Sequence, residues 1–550
     1  MRQARQLWLP FSILLLTCFI FSLFLPFFPV DETRYLGVAW EMRLNDSFIV
    51  PLQNALPYSH KPPLLFWLIN LDWAFLGMNY ATLRFIPLLF SLFNVYLVFR
   101  MALLLWEDEQ TARHAALILA STLSYLLWSS LIMFDVVLAC WVLLAVCGFI
   151  AEAKAHGAKW VLMSGVAVGA GILTKGPVIL VYVLPVALFA FLWIPREKFS
   201  GRWYAWLGLS LALGIAVVLL WLVPAALTGG ESYRKAILWG QTVNRVANSF
   251  AHKRPIWWYL PWIPVLLLPW ILFTPTWRGC RRLAGDAGTR LVMLWIVSTV
   301  VIFSLVSGKQ VHYLVPILPA FSLLMAKNLS AHDGTKASRR HFPVAALYLF
   351  LGAALFLTPF IKSGHLLQYF GAGELKIAAS LLFSTGAAML FLRGGTLADS
   401  VKYTAVASFV LCAAVIIGGN TFFHRYDLHG ISEAVRAKQS EGYQVIHQGK
   451  YHGQFHFVGK LQQPLVALED KKEIARYVAT HDKVALITYE RQNTPIEPME
   501  IFFRQPFRSK QVVLGNKNGI SRLTKEAGTA PADASILREK GRLRRESGSK

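Results

Sequence analysis

For about its first 420 residues the chain alternates long apolar runs with short polar interruptions, and then its character changes. Runs of about 18 or more apolar residues predict helices able to cross a bilayer. Such segments are expected at 8–28, 82–105, 111–129, 131–151, 159–173, 175–194, 204–226, 257–274, 289–307, 312–327, 343–361, 374–393 and 401–419, about thirteen in all. Those at 159–173 and 312–327 are short, each suited to half of a longer or broken helix. After His60 and Lys61 in "HKPPLLFWLIN", 60–70, an apolar segment of about a dozen residues is too short to span and predicts a helix lying in the interface. Past residue 421 the pattern predicts helices at 430–440 and 470–482 and strands at 443–448 and 483–489. The expected architecture is therefore an all-α polytopic membrane protein, 1–420, with a small α/β domain at 421–525. The last residues, 526–550, read as a disordered tail.

Composition agrees with that division. The chain is 55% hydrophobic and 15% charged, against about a quarter charged in ordinary soluble domains. A net charge of +24 would suit a nucleic-acid partner in a soluble protein. In a membrane protein it follows from basic loops on the cytoplasmic side, and no nucleic acid is expected. The first run has too long an apolar core for a signal peptide, and no small-x-small cleavage site precedes "VDETRY"; it reads as an uncleaved span. Cys18, Cys140, Cys147 and Cys412 fall in apolar segments and Cys280 in a basic loop, with no metal or redox spacing.

Charge also sets an orientation. Arg2 and Arg5, then Lys154 and Lys159, then Arg196, Lys198 and Arg202, then Arg278, Arg281, Arg282 and Arg290, then Lys336, Arg339 and Arg340 occupy alternate loops. The positive-inside rule puts these loops and the N-terminus in the cytoplasm, and the C-terminal domain outside. The opposite loops, 29–81 and 227–256 with the joins "TKG" and "SGKQVHY", nevertheless carry Lys61, Lys175, Arg234, Lys235, Arg245, Lys253, Arg254 and Lys309. Cations placed against that bias point to an external site for an anion.

Several residues are candidates for the chemistry. Asp31 and Glu32 follow the first span. Adjacent carboxylates suit general-base work or a divalent cation, and equally the cap of the next helix. Asp135 is an acid within an apolar run, suited to a cavity or to a buried ion pair. Lys61 begins the interfacial segment and could reach a lipid phosphate or merely snorkel. "ILTKGP" and "SGKQVHYLVPILPA" put Lys175, His312 and Tyr313 at external bends, where lysine and tyrosine are also routine. Arg245 lies in the basic 227–256 loop and could bind phosphate. The soluble part carries no phosphate loop, GxSxG or HExxH.

Taken in order, "DETRY", "KP", the later intramembrane acid, "LTKGP", "PIWWYLP" and "SGK…HY…P…P" resemble the GT-C membrane glycosyltransferases that use polyprenyl-phosphate sugars. The likeness is nearest to the ArnT type, which moves 4-amino-4-deoxy-L-arabinose onto lipid A in Gram-negative envelopes; the wider group includes protein O-mannosyltransferases. The resemblance implies an inverting transfer at the periplasmic face of the bacterial inner membrane, from an undecaprenyl-phosphate sugar to lipid A or another envelope glycan or protein. It implies Asp31 and Asp135 as catalytic acids, and Lys61, Arg245, Tyr313 and Lys175 as contacts of the donor phosphate. Glu32 and Arg34 would support them. ArnT-type sequences carry an acid before "KP", where this chain has His60. That acid is a candidate metal contact, so a divalent metal is a candidate cofactor and His60 its candidate ligand. Two other readings stand beside this one: a protein O-mannosyltransferase-like or other-sugar transferase of the same fold, and a transporter or lipid flippase. Against transport, the chain shows no internal repeat, and its charges cluster toward one face.

Overall fold

The computed structural model describes residues 2–155, 157–240, 254–277, 285–330, 341–360, 369–392, 396–491 and 501–516. The chain divides into two compact units at His424/Arg425.

The first unit is helical. α1 (Arg2–Phe24) leads through a short turn to α2 (Asp31–Leu44), then to a two-residue hairpin, β1 (Leu52–Gln53) and β2 (Leu56–Pro57), and to α3 (Leu64–Leu76). There follow α4 (Phe85–Trp106), α5 (Glu109–Ser121), α6 (Leu123–Trp128), α7 (Phe134–Ala155), α8 (Ala158–Lys175), α9 (Ile179–Leu188), α10 (Arg202–Thr228) and α11 (Gly230–Lys235). The unit continues with α12 (Trp262–Leu266), α13 (Ala287–Leu305), α14 (Leu318–Ser330), α15 (Phe342–Leu357), α16 (Ala372–Phe391) and α17 (Leu397–Gly418).

Nine helical segments among the described residues are long and apolar enough to cross a membrane. The remaining expected spans are shorter or broken. The segment 111–129 is two helices parted at Thr122, whose backbone is extended. That at 175–194 is a ten-residue helix followed by a short 3-10 turn. The segment 257–274 is a chain of short turns punctuated by Pro261, Pro264 and Pro269, because proline removes a backbone donor and ends each helix early. The predicted interfacial helix is present as α3, with Phe75, Leu71 and Leu76 exposed on it.

α7 is the central post: nearly all its residues are buried. α10 is its opposite, with Leu219, Leu220, Val223 and Leu227 exposed as a surface suited to lipid. α8 lies against α10 through small residues. A Cβ on Gly169 would fall 2.8 Å from the Gly214 carbonyl oxygen and 2.7 Å from Val217 Cβ, and one on Gly165 would fall 2.8 Å from the Ser210 oxygen. This spacing is the small-xxx-small packing of membrane helices. Gly169→Leu is expected to force the two helices apart and cost about 1–3 kcal/mol, read as a lowered midpoint in thermal unfolding of the detergent-solubilised protein. An unchanged midpoint would show that the contact is not a stabilising one.

The second unit is a small α/β fold. α18 (His429–Ser440) precedes β3 (Gln444–Gln448); α19 (His456–Gly459) and β4 (Val466–Leu468) follow, then α20 (Lys471–Thr480), β5 (Val484–Arg491), β6 (Ile501–Phe507) and β7 (Lys510–Gly515). The sheet order is β4-β3-β5-β7-β6, with β3 parallel to β4 and β5 and the other pairs antiparallel. Register places Val445 opposite Ala485 and Ile446 opposite Leu486. Alternate side chains then enter two cores, one around Ile431, Val445, Ile487 and Leu514, the other around Ile446, Ile474 and Leu486. The expected helices and strands are all found. The two strands β6 and β7 were not anticipated, and the tail beyond residue 516 lies outside the described residues.

Candidate active site

Several chain ends meet at one end of the helical unit: the start of α2, the approach to α3, the starts of α4 and α7, the end of α8, and the turn at 311–317 before α14. Asp31 opens α2, where the helix dipole favours an acid. Its side chain is 51% exposed, and Oδ1 accepts from Arg34 at 2.6 Å and from the Tyr35 hydroxyl at 3.3 Å. Tyr35 itself is buried, with its ring edge-on to Phe134 at 4.7 Å. Burial and the neighbouring Asp31 charge push the Tyr35 hydroxyl well above its usual pKa, so it stays a donor.

Glu32 points the other way. It is 1% exposed and lies 3.4 Å from Arg84, accepting in addition from the Phe28 and Ile132 amides at 2.9 and 2.8 Å. Arg84, equally buried, donates to the carbonyls of Ser130, Leu25 and Pro26. Asp31 and Glu32 thus face different ways. The step of about 100° between neighbours turns one acid toward the surface and the other into a buried pair that joins the end of α1 to the starts of α2, α4 and α7. Arg84 gave no signal in the sequence because it reads as an ordinary flanking charge of a span.

Asp135 begins α7, 1% exposed, with Lys175 Nζ at 2.6 Å. Of the two readings open for this acid, the structure displays the buried ion pair. Lys175 occupies the last turn of α8, where the dipole favours a cation. Gly176 ends that helix at φ +81°, a conformation that L side chains rarely adopt. The Lys175 ammonium also lies over the Tyr313 ring, 5.0 Å from its centre. Tyr313 is held from behind: the Tyr182 hydroxyl donates to its carbonyl at 2.7 Å, and Phe303 packs on its ring at 5.6 Å.

Lys61 reaches the same place from the opposite side, its Nζ 5.6 Å above the Phe134 ring. Lys61 and the His312 ring lie within electrostatic reach of the Asp135–Lys175 pair, and Asp31 within reach of His312. Six of the residues singled out from sequence, 31, 61, 135, 175, 312 and 313, thus form one electrostatic cluster. Beneath it Tyr35, Tyr58, Phe66 and Phe134 make a continuous aromatic wall. That wall was not legible beforehand, because its members are scattered through segments where aromatics are common.

His60 stacks near Tyr58, the ring centres 5.4 Å apart. Among the described residues no three His, Cys, Asp or Glu side chains gather into a group able to hold a metal ion. Arg245 lies outside the described residues. Lys309, expected to face an anion, is instead 3% exposed and donates to the carbonyls of Arg254 and Val306 at 3.1 and 2.5 Å. Desolvation pulls its pKa below the ordinary lysine value. Its role is to bind the 254 segment to the end of α13.

Residues 29–233 match the family model described as dolichyl-phosphate-mannose-protein mannosyltransferase. An undecaprenyl phosphate-alpha-4-amino-4-deoxy-L-arabinose arabinosyl transferase of Edwardsiella ictaluri is 31% identical over 363 residues, 63% of this chain and 64% of the relative. One of the same description from Pseudomonas aeruginosa is 31% identical over 313 residues, 54% and 55% of the two chains. The matched part thus spans between about half and two thirds of these curated relatives. ArnT from Cupriavidus metallidurans, solved with undecaprenyl phosphate, superposes with a TM-score of 0.74 at 18% identity, covering 92% of this chain and 96% of that one; its apo form gives 0.72. The overall fold is therefore that of ArnT. The resemblance drawn from "DETRY" and "LTKGP" is borne out, as is the relation to the protein mannosyltransferases.

Proposed function

We propose that this chain is an inverting membrane glycosyltransferase that moves 4-amino-4-deoxy-L-arabinose from undecaprenyl phosphate to lipid A at the periplasmic face of a bacterial inner membrane. The observation that carries the reading is the cluster itself: Lys61, Lys175 and His312 ranged around Asp135, with Asp31 half-exposed beside them. In this topology the chain crosses thirteen times, the shorter and broken helices completing the count, and the α/β unit stands in the periplasm.

The geometry supports the following roles. Arg34 holds Asp31 by Oδ1, which leaves Oδ2 to orient the acceptor oxygen or take its proton as it attacks the anomeric carbon. The sugar–phosphate bond breaks on the opposite face, and negative charge builds on the departing polyprenyl phosphate. Lys61 and Lys175 are fixed in place before the reaction to meet that charge. Asp135, buried against Lys175, orients its ammonium, and the Tyr313 ring lies beneath that ammonium. Arg245 enters as a phosphate contact by sequence resemblance. The side chains described do not form a cage for a divalent ion. Glu32 is engaged by Arg84 and Asp31 by Arg34, and no step is assigned to a metal.

Mass spectrometry of lipid A from cells with and without the protein tests the reading. A pentosamine-sized addition that requires the protein is expected. A different added sugar would change the donor and keep the mechanism. Unchanged lipid A together with lost protein glycosylation would favour the mannosyltransferase-like alternative, which the match over 29–233 keeps in view. Lys61→Ala is expected to raise the donor KM about tenfold or more, a loss that excess donor overcomes; an unchanged KM would remove Lys61 from the phosphate site.

A further inference from the structure

The tip of the hairpin between α2 and α3 meets a buried carboxylate of α2. Asn54 and Ala55 form the turn of β1–β2, at φ +54° and +61°. Two successive left-handed residues suit a tight hairpin turn. Asparagine accepts that conformation readily, whereas alanine resists it. Both amides face Glu41, on the third turn of α2: the Asn54 N–H donates to Oε1 at 2.6 Å and the Ala55 N–H to Oε2 at 2.7 Å. Glu41 is 3% exposed, although it is a carboxylate on a helix that also carries the exposed Asp31.

The ribbon behind this tip is short. The hairpin has two residue pairs, and Leu56 is 58% exposed; so short a ribbon is marginal alone. The earlier part of the loop is held separately, by the Trp67 and Trp221 indoles donating to the Phe48 and Ile49 carbonyls. From β2 the chain runs directly into Tyr58, whose amide donates to the Pro51 carbonyl at 2.7 Å, and on to Lys61 above Phe134.

We propose that Glu41 is a positioning residue: by clasping the Asn54–Ala55 turn it sets the arm that delivers Lys61 to the Asp135–Lys175 cluster. α2 then performs two tasks, presenting Asp31 at its start and fixing the opposing lysine from its third turn. A rigid clasp keeps the distance between the acid and the phosphate cation constant while lipid substrates enter. The inference rests on the proposed role of Lys61 as a donor-phosphate contact.

The test uses full-length protein in lipid nanodiscs, with hydrogen exchange over 52–58 and steady-state kinetics with the undecaprenyl-phosphate aminoarabinose donor. Glu41→Gln turns an N–H toward one of the two amides. It is expected to speed exchange at 52–58 and raise the donor KM about tenfold, with kcat changed much less. Ala55→Gly relaxes the turn without touching α2; alone it should leave both readouts near wild type, and in the Glu41→Gln background it should restore both. Ala55→Val strains the same turn and should reproduce the KM rise even if Glu41→Gln folds poorly. Unchanged exchange in Glu41→Gln would overturn the clasp. Faster exchange with an unchanged KM would overturn its link to Lys61, as would a KM rise that Ala55→Gly fails to rescue. If the wild-type protein transfers nothing from this donor, the functional reading fails, and the exchange arm still decides the clasp.

Discussion

Asp31→Asn is expected to lower the rate of sugar transfer by about 10²–10⁴-fold, the span typical for loss of a positioned general base, while donor binding stays close to wild type. The substitution is nearly isosteric, and the amide oxygen can still accept from Arg34 and Tyr35. The side chain is half-exposed, so no buried charge is lost and the protein should insert and fold normally. The measurement is single-turnover transfer with saturating donor, alongside donor binding by the inactive variant. A rate within a few-fold of wild type would remove Asp31 from the chemistry and pass its role to a group outside this cluster. Weak donor binding with a normal rate at saturation would instead recast Asp31 as a binding residue.

Arg84→Met is expected to destabilise the helical unit by about 3–5 kcal/mol, the cost of leaving one member of a buried ion pair alone. Glu32 would keep its two amide donors but lose its counter-charge, and the carbonyls of Leu25, Pro26 and Ser130 would lose theirs. The effect has a pH signature. Burial already raises the Glu32 pKa above 4.5, against the opposing pull of Arg84. Removing Arg84 raises the folded-state value further. A carboxyl whose folded pKa is raised destabilises the fold above that pKa, and the penalty lifts as pH falls toward the unfolded value. Thermal unfolding of the variant should therefore approach wild type as the pH drops toward 4.5. The double variant Glu32→Gln/Arg84→Met should be less destabilised than Arg84→Met at neutral pH. A loss under about 1 kcal/mol, the range of exposed pairs, would show that the pair does not tie these four elements together.

These two experiments separate neighbouring residues that look equivalent in "DETRY". Asp31 and Glu32 are adjacent acids, and either could have been the base. A helix turns about 100° per residue, so neighbours cannot face the same way. Which acid is buried depends on where Arg84 and the Ile132 amide meet the start of α2, and no local pattern carries that information.

Much of the fold was legible because lipid imposes a strict rule: backbone groups must be bonded within helices, so apolar length alone reveals them. The segments found as α1, α4, α7, α10, α13, α15, α16 and α17 all stood out in this way. Segments such as 111–129 and 257–274 misled in detail, since hydropathy registers apolar content and does not see a break at Thr122 or a run of prolines. In the second unit, alternation exposed β3 and β5. The strands β6 and β7 carry Arg504, Gln505, Lys510 and Gln511 among their apolar residues and blurred into loop.

The sequence by itself determined that this is a polytopic helical membrane protein, that cations recur in the loops at 29–81 and 227–256 and at the joins around 175 and 309, and which motifs are candidates for a site. Those facts depend on local composition and on charge counted along the chain. The tertiary structure alone decided that Lys175 pairs with Asp135, forty residues away, that Glu32 is held by Arg84, that Lys309 is structural, and that Glu41 grips the hairpin leading to Lys61. Each joins a charged side chain to a side chain or backbone group from another part of the chain, because packing carries both into a shared region of low dielectric, where a charge must find a partner or remain costly.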